Sequence, residues 1–407
     1  MINVFDGDMS IYDKVMFYIL LLFALMTNVS TGVTTVCIVL GLMVMLTQKI
    51  RTKRLPDCDA SMLKAIALFS AVWLFVAFFS SDLETSLGAW FAMLYRFSPF
   101  FFVLMYVKTK KQFLLIMIAF ALSVIIDCGV AIAQVAVTRD GLIGGRPEAL
   151  NNNPTFVGSF MLLAFSALLY CSFQKWDRKW CNYLFFIGCM LSFVTLLLTK
   201  TRGAWLSFLV LLIVMGLISF NHRRKVLLVI GLFCVSIITL FLVYPEFFSR
   251  ITSQMNMGDH NISVRFELWQ ASYNMFLDYP IFGVGQDMFP LFHNNIYALS
   301  AEAARLGNPH NNLLLVICEC GAVGFVSYVL FQGYLLWRMI KNLKMSYMRD
   351  NFAVMGILFF LGLHLSGLTD TNINNVPMMR EYWFLIGMSM IGSRLFSKNQ
   401  IKDNIET

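Results

Sequence analysis

Charge is scarce in this chain. Only 13% of its 407 residues are charged against 58% hydrophobic, with a mean hydropathy of +0.71, and that balance excludes an ordinary soluble domain. Other absences narrow the chemistry. No paired-acid Asp-x-Asp motif stands on the side assigned below to the exterior, no histidines recur at ligand spacing and no Walker loop is present. A reaction independent of metal, cofactor and nucleotide is therefore favoured, and no nucleic-acid partner is expected. The nine cysteines fall in apolar runs or in short segments assigned to the cytoplasm; Cys318 and Cys320 would point to different faces of a helix, so no disulfide or zinc framework follows. No small-residue cleavage pattern follows the first apolar stretch, which is kept as a retained helix. The two-halves repeat common in transporters is also missing.

What is present is a series of long apolar runs, at about 12–28, 32–47, 62–80, 86–107, 113–137, 155–173, 182–199, 203–220, 226–244, 311–337, 352–369 and 382–396. The reading is an all-α polytopic membrane protein with about 12 transmembrane helices, forming one integral membrane domain over 1–407. Basic clusters such as Lys49/Arg51/Lys53/Arg54, Lys108/Lys110/Lys111 and Arg223/Arg224/Lys225 fall on one side, which the positive-inside rule makes the cytoplasm, together with both termini. That side holds 22 of the 31 basic residues. The other nine are Arg96, Arg139, Arg146, Lys200, Arg202, Arg250, Arg265, Arg305 and Arg380, eight of them arginine, whereas the cytoplasmic set has 14 lysines to 8 arginines. Topogenic charge does not need a planar fork, but bidentate phosphate binding does. The outer face reads as built to hold an anion, with the plainer alternative that arginine suits an interface.

The one large loop, 245–310, is assigned to the outer side. Within it Ser263 can cap a helix in which Val264, Leu268, Ala271 and Met275 recur at helical spacing, an amphipathic helix expected on the membrane surface and ended by Asp278-Tyr279-Pro280. Gly283-Val284-Gly285 then predicts a tight turn. Asn308 followed by Pro309 reads as a helix start, which puts His310 in the first turn of the next membrane helix. There free N–H groups and the helix dipole disfavour imidazolium, leaving a neutral ring able to accept a proton; a satisfied interfacial histidine is the alternative. Lys200-Thr201-Arg202-Gly203 joins two spans with almost no loop and sets two cations against a helix N-terminus, a cradle for phosphate or a plain topological stop. Arg265 could reach the same pocket or bind lipid headgroups. Arg96 and Asp127 lie inside apolar runs, where they pair with each other or serve a function. His364 and Asp370 could orient the His310 ring or another polar group, and Glu319 interrupts the apolar run that follows the histidine. Tyr297 and 298–305 could close over the site.

Thr201-Arg202-Gly203-Ala204-Trp205, Arg265-x-x-x-Trp269, Pro280-Ile281-Phe282-Gly283-Val284-Gly285, and His310-Asn311-x-Leu313 running to Glu319-x-Gly321-x-x-Gly324 together resemble the O-antigen ligase and polymerase superfamily. The resemblance implies a GT-C-like membrane glycosyltransferase in the bacterial inner membrane with its site facing the periplasm, working among membrane lipids. In the ligase branch a glycan passes from undecaprenyl diphosphate to a sugar hydroxyl of lipid A-core, with inversion and without metal. The resemblance matches His310 to the family's essential histidine, Arg265 to its loop arginine and Arg202 to the arginine of its short periplasmic turn; Asp370 corresponds more loosely to a late acidic residue. Lys200 would join the arginines on the diphosphate, with Arg96, Arg146 and Glu319 as supporting candidates. A polymerase, a protein O-oligosaccharyltransferase and, from another class, a lipid-glycan transporter are the alternatives.

Overall fold

Helices in this chain begin where a short polar side chain can take the first free N–H groups. Ser10 and Asp13 close a capping box on α1 (Ile11–Met26), Ser30 caps α2 (Thr31–Thr52), Asp59 caps α3 (Ala60–Ala77) and Asp82 caps α4 (Leu83–Arg96). The single apolar run expected at 86–107 is two helices. Phe97 ends α4, and Ser98-Pro99 opens α5 (Ser98–Tyr106), since a proline in the first turn has no N–H to leave unbonded. Then come α6 (Lys110–Val137), α7 (Pro154–Phe173), α8 (Lys179–Leu198), α9 (Arg202–Ile218), α10 (Arg223–Val243), α11 (His260–Asp278), the one-turn α12 (Phe289–Phe292), α13 (Asn312–Met345), α14 (Ala353–Ser366) and α15 (Val376–Asp403). The computed structural model describes residues 9–137, 145–150, 153–218, 223–243, 260–345 and 352–403, and among them there is no strand. Arg139, Arg250 and the first part of the large loop, 245–259, lie outside the described residues.

Six of these helices, and α4 with α5 taken together over Leu83–Tyr106, are long and apolar enough to cross a bilayer, and three shorter ones are apolar as well, which makes this a multi-pass α-helical membrane protein. At the centre lies α7, in which every residue from Val157 to Cys171 is buried, the pattern of a helix enclosed on all sides. It packs against α8 and α14, while α14 also contacts α9, α13 and α15. On the periphery apolar side chains face outward, as with Leu40, Met43 and Leu46 on α2 and Leu228, Val235 and Ile238 on α10. In water such faces would demand a partner; in a bilayer the lipid supplies it.

The α11 helix begins at His260, so Ser263 lies inside it rather than at its cap, and it ends at Asp278 as expected. Val264, Leu268, Ala271 and Met275 are its buried face, with Val264, Leu268 and Met275 each contributing about 1.5–3 kcal/mol through burial. That face packs on α13, and with Val284, Phe289, Phe292 and Leu315 it forms a second, smaller core separate from the main bundle.

The α13 helix is broken at Gly321, whose φ of 61° and ψ of −168° are far from helical. The break strands backbone groups that the Pro280–Gly285 turn takes up. Val284 and Gly285 N–H donate to the carbonyls of Cys318 (3.0 Å) and Glu319 (2.9 Å), and Ala322 and Val323 N–H donate to those of Pro280 (2.8 Å) and Ile281 (3.1 Å). Each partner has a glycine at the contact. A Cβ on Gly283 would overlap the Glu319 backbone, and one on Gly321 would overlap the Ile281 backbone. The two glycine motifs, distant in sequence, are therefore one joint that pairs four main-chain groups of the break across to the turn.

Candidate active site

Four segments converge beside the N-terminal end of α13. The first is the approach to that helix. His310 is not in its first turn: the ring sits two residues before Asn312, on a backbone with φ of 49°. The cap is Asn311, whose Oδ1 accepts from Leu313 N (2.9 Å) and Leu314 N (3.1 Å). Asn308-Pro309 and Asn311-Asn312 are both plausible helix starts by residue type, and tertiary anchoring decides between them. Trp269 on α11 donates its indole N–H to Pro309 O (3.1 Å), and Asn308 Oδ1 accepts from His310 N (3.0 Å), so the strained residue is held from both sides.

The second segment is the turn from α14 to α15. Asp370 Oδ1 lies 2.9 Å from His310 Nδ1, with the carboxylate side chain 7% exposed and the imidazole 28% exposed. A carboxylate accepts, so Nδ1 carries a proton, and in the neutral ring this leaves the Nε2 lone pair free. The turn is fastened to the histidine segment through side-chain amides. Asn312 Oδ1 accepts from Asn372 N (2.8 Å) and Ile373 N (3.3 Å), Asn312 N donates to Gly367 O (2.7 Å), and Asn311 Nδ2 donates to Leu368 O (3.1 Å). Asn372 is thereby buried structure rather than a free polar loop residue, and Asn375 caps α15 through Met378 N (2.8 Å).

The third segment is the Thr199–Gly203 turn before α9. A Cβ on Gly203 would overlap Thr369 Oγ1, so glycine is what lets the start of α9, where Arg202 stands, close on the Thr369-Asp370 turn. Lys200 sits in the same turn with φ of 54°. Arg146 reaches it from before α7, donating from Nε to Thr199 O (2.7 Å) and from Nη2 to Thr201 Oγ1 (3.1 Å). The fourth segment is α11, which carries Arg265. Burial lowers the pKa of both Arg146 and Arg265 while the Asp370 carboxylate works against that, and Arg202 lowers Arg265 further. Guanidinium groups stay protonated all the same. The result is positive charge, half-buried at Arg202 and Arg265 and exposed at Arg146, with the Asp370 carboxylate beside Arg146 and Arg265, an arrangement that favours a further anion.

The structure thus brings His310, Asp370, Arg146, Arg202 and Arg265 together. Arg146 was expected as a supporting candidate on the outer side; its hold on the Thr199–Thr201 turn had no sequence signal beyond residue type. Other expectations are corrected. His364 does not orient His310: its ring contacts Phe360 O (2.7 Å) and Tyr328 OH (3.3 Å). Arg96 and Asp127 do not pair, since Arg96 donates to Ile373 O (2.9 Å) and Asp127 accepts from Leu150 N (3.0 Å). Glu319 lies at the α13 break, accepting from Phe289 N (3.2 Å), and lines a cavity with Arg96. Arg380 is structural, donating to Thr34 and Thr35 and stacking on the Tyr95 ring. The 297–305 stretch is tied to α11 by Tyr297 OH to Asp278 and Ser300 Oγ to Glu267. Among the described residues no three His, Cys, Asp or Glu side chains come together as a metal site.

Comparison with known proteins finds a family model that matches part of the chain. The family model described as O-antigen ligase matches residues 187–329, from within α8 to beyond the α13 break, a stretch that holds Lys200, Arg202, Arg265, His310 and Glu319. The resemblance to the O-antigen ligase superfamily seen in the sequence is thereby shown. An uncharacterized protein of Haemophilus influenzae is 26% identical over 177 residues, covering 39% of this chain and 44% of the relative. The matched part is thus less than half of that relative's length.

Proposed function

We propose that the chain is a membrane glycosyltransferase of the O-antigen ligase type, moving a glycan from undecaprenyl diphosphate to a sugar hydroxyl of lipid A-core. The observation that carries the reading is the His310–Asp370 pair at 2.9 Å set beside Arg146, Arg202 and Arg265. It joins a proton acceptor to a cradle for a leaving diphosphate. The whole chain, 1–407, works as one integral domain of the bacterial inner membrane with twelve spans and both termini in the cytoplasm. The 245–310 loop and the site face the periplasm.

In the reaction the acceptor hydroxyl attacks the anomeric carbon from the face opposite the diphosphate. The new C–O bond forms as the carbon–oxygen bond to phosphate breaks, the hydroxyl proton passes to His310 Nε2, and the electron pair leaves on the diphosphate, so the anomeric centre inverts. Asp370 holds the ring with Nε2 free and steadies the imidazolium that forms. A positioned base contributes about 10²–10⁴-fold. Arg146, Arg202, Arg265 and Lys200 meet the departing charge, a role guanidinium fills without proton loss. No step calls on a metal ion.

The test is transfer by the purified protein in lipid, with an undecaprenyl diphosphate glycan and lipid A-core, following product and released undecaprenyl diphosphate. Ligation by wild type with folded, inactive His310→Ala and Arg265→Ala supports the reading. Lengthening of the donor glycan instead makes the chain a polymerase, and movement of donor across the bilayer with no bond made removes the transferase reading.

A further inference from the structure

A cavity of about 470 Å³ opens among α3, α4, α13 and α15 beside the Gln286-Asp287 turn. None of His310, Asp370, Arg146, Arg202 or Arg265 lines it, yet Leu315 and Ile373, close in sequence to the histidine and its aspartate, do. It is a separate space next to the candidate active site.

Its walls are aromatic and its fittings polar. Trp73, Tyr328 and Trp383 present ring surface, and the Trp73 indole is fixed by N–H donation to Ser327 Oγ (3.1 Å) and Gly324 O (3.3 Å). Arg96, Asp287, Gln332 and Asn374 also reach it. Two of these groups are incomplete. Arg96 Nε and Gln332 Oε1 are both buried without a hydrogen-bond partner, a donor and an acceptor of the kind that native proteins nearly always satisfy. Space is also left open on purpose-sized residues: Gly88, Ala89 and Ala92 form the α4 side, and a Cβ on Gly88 would meet nothing within 4 Å.

Charge and polarity select the occupant. Arg96 is accompanied by the carboxyl groups of Asp287 and Glu319, so the lining does not suit a diphosphate, and a polyprenyl tail would leave the guanidinium and amide groups unsatisfied. A sugar ring meets both demands. Its C–H faces lie on aromatic rings while its hydroxyls donate to carboxylate and amide oxygens and accept from N–H groups. The volume holds roughly one or two such rings, within the range of small-ligand sites.

We propose that this cavity binds a glycosyl unit of the acceptor, presenting a neighbouring hydroxyl toward His310. The proposal rests on the transferase reading for its role, but not for its chemistry. The probe is deacylated lipid A-core oligosaccharide, added to the full chain in lipid nanodiscs and followed by quenching of tryptophan fluorescence, with transfer kinetics alongside. The cavity-filling Gly88→Leu variant exchanges glycine for a better helix former and is checked by thermal melting; Arg96→Gln is the second variant. The expected result is saturable quenching in wild type, weakened about 10-fold or more in both variants, with acceptor KM raised in both and, in Gly88→Leu, donor KM and kcat unchanged. Wild-type binding and acceptor KM in both folded variants would overturn it. So would a rise in donor KM instead, or displacement of the probe by inorganic diphosphate, which would make the cavity part of the donor site. Should wild type bind the probe in a Gly88→Leu-sensitive way but transfer nothing, the ligase reading falls and the sugar site stands; transfer with Gly88-insensitive binding gives the reverse.

Discussion

Asp370 touches His310 on one ring nitrogen, so the main cost of changing it should pass through the ring. In Asp370→Asn the amide can donate to Nδ1 and favour the wrong tautomer, as the loss of an orienting aspartate does elsewhere. The expected fall in kcat is about 10²-fold or more, with His310→Ala losing about 10²–10⁴-fold and the double variant no worse than His310→Ala alone. Additive losses would mean that Asp370 acts independently of the ring. Arg265→Lys should keep the charge yet raise donor KM, because an ammonium cannot grip a diphosphate with a fork. Single-turnover rates at saturating donor would separate that from a slower chemical step. The same residues show what sequence reasoning can reach. Arg202, Arg265 and His310 were legible from residue type on the outer side together with motif resemblance. The true position of His310 was not, because two Asn-containing helix starts stand three residues apart and only the Trp269 contact with Pro309 selects one.

At the scale of elements, the helices were readable because caps and apolar runs are local properties, and among the described residues each expected run falls largely on helix. The division of 86–107 into α4 and α5 had its signal in Ser98-Pro99. The joint between the Pro280–Gly285 turn and the α13 break had much less. It is made by main-chain groups of distant residues, and glycine at 283 and 321 is its only mark in the sequence. Gly321→Ala should therefore be costly. The backbone conformation alone is worth about 1–3 kcal/mol, and overlap with Ile281 adds to it. A lowered melting temperature in detergent and faster proteolysis near 280–285 would report that loss; an unchanged melt would mean the joint is not needed for stability. Gly203→Ala acts at a different contact, where the obstacle is a hydroxyl. Removing it in Gly203→Ala/Thr369→Ala should restore part of the activity lost in the single variant, whereas no rescue would point to the backbone instead.

Across the whole molecule, the reading places the Arg305 end on the outside and the Lys53 end in the cytoplasm. With Cys58 and Cys234 replaced by serine, Arg305→Cys should react with an impermeant maleimide in intact cells, and Lys53→Cys only after permeabilisation; the opposite pattern would invert the topology. Dialysis against EDTA should leave transfer within about twofold if base and arginines carry the chemistry.

The joint at Gly321 also bears on how the chain comes to be assembled. Residues 280–285 are synthesised before 318–323, so the turn is made while its partner is still unbuilt. Until they meet, the carbonyls of Cys318 and Glu319 and the N–H groups of Ala322 and Val323 would enter the membrane without partners, a state hydrocarbon penalises heavily. Insertion of α13 and seating of the loop are then coupled steps of biogenesis. The event that completes the membrane helix also draws α11 and its arginine against the histidine, so a chain whose bundle is incomplete would have no assembled site to misuse its donor.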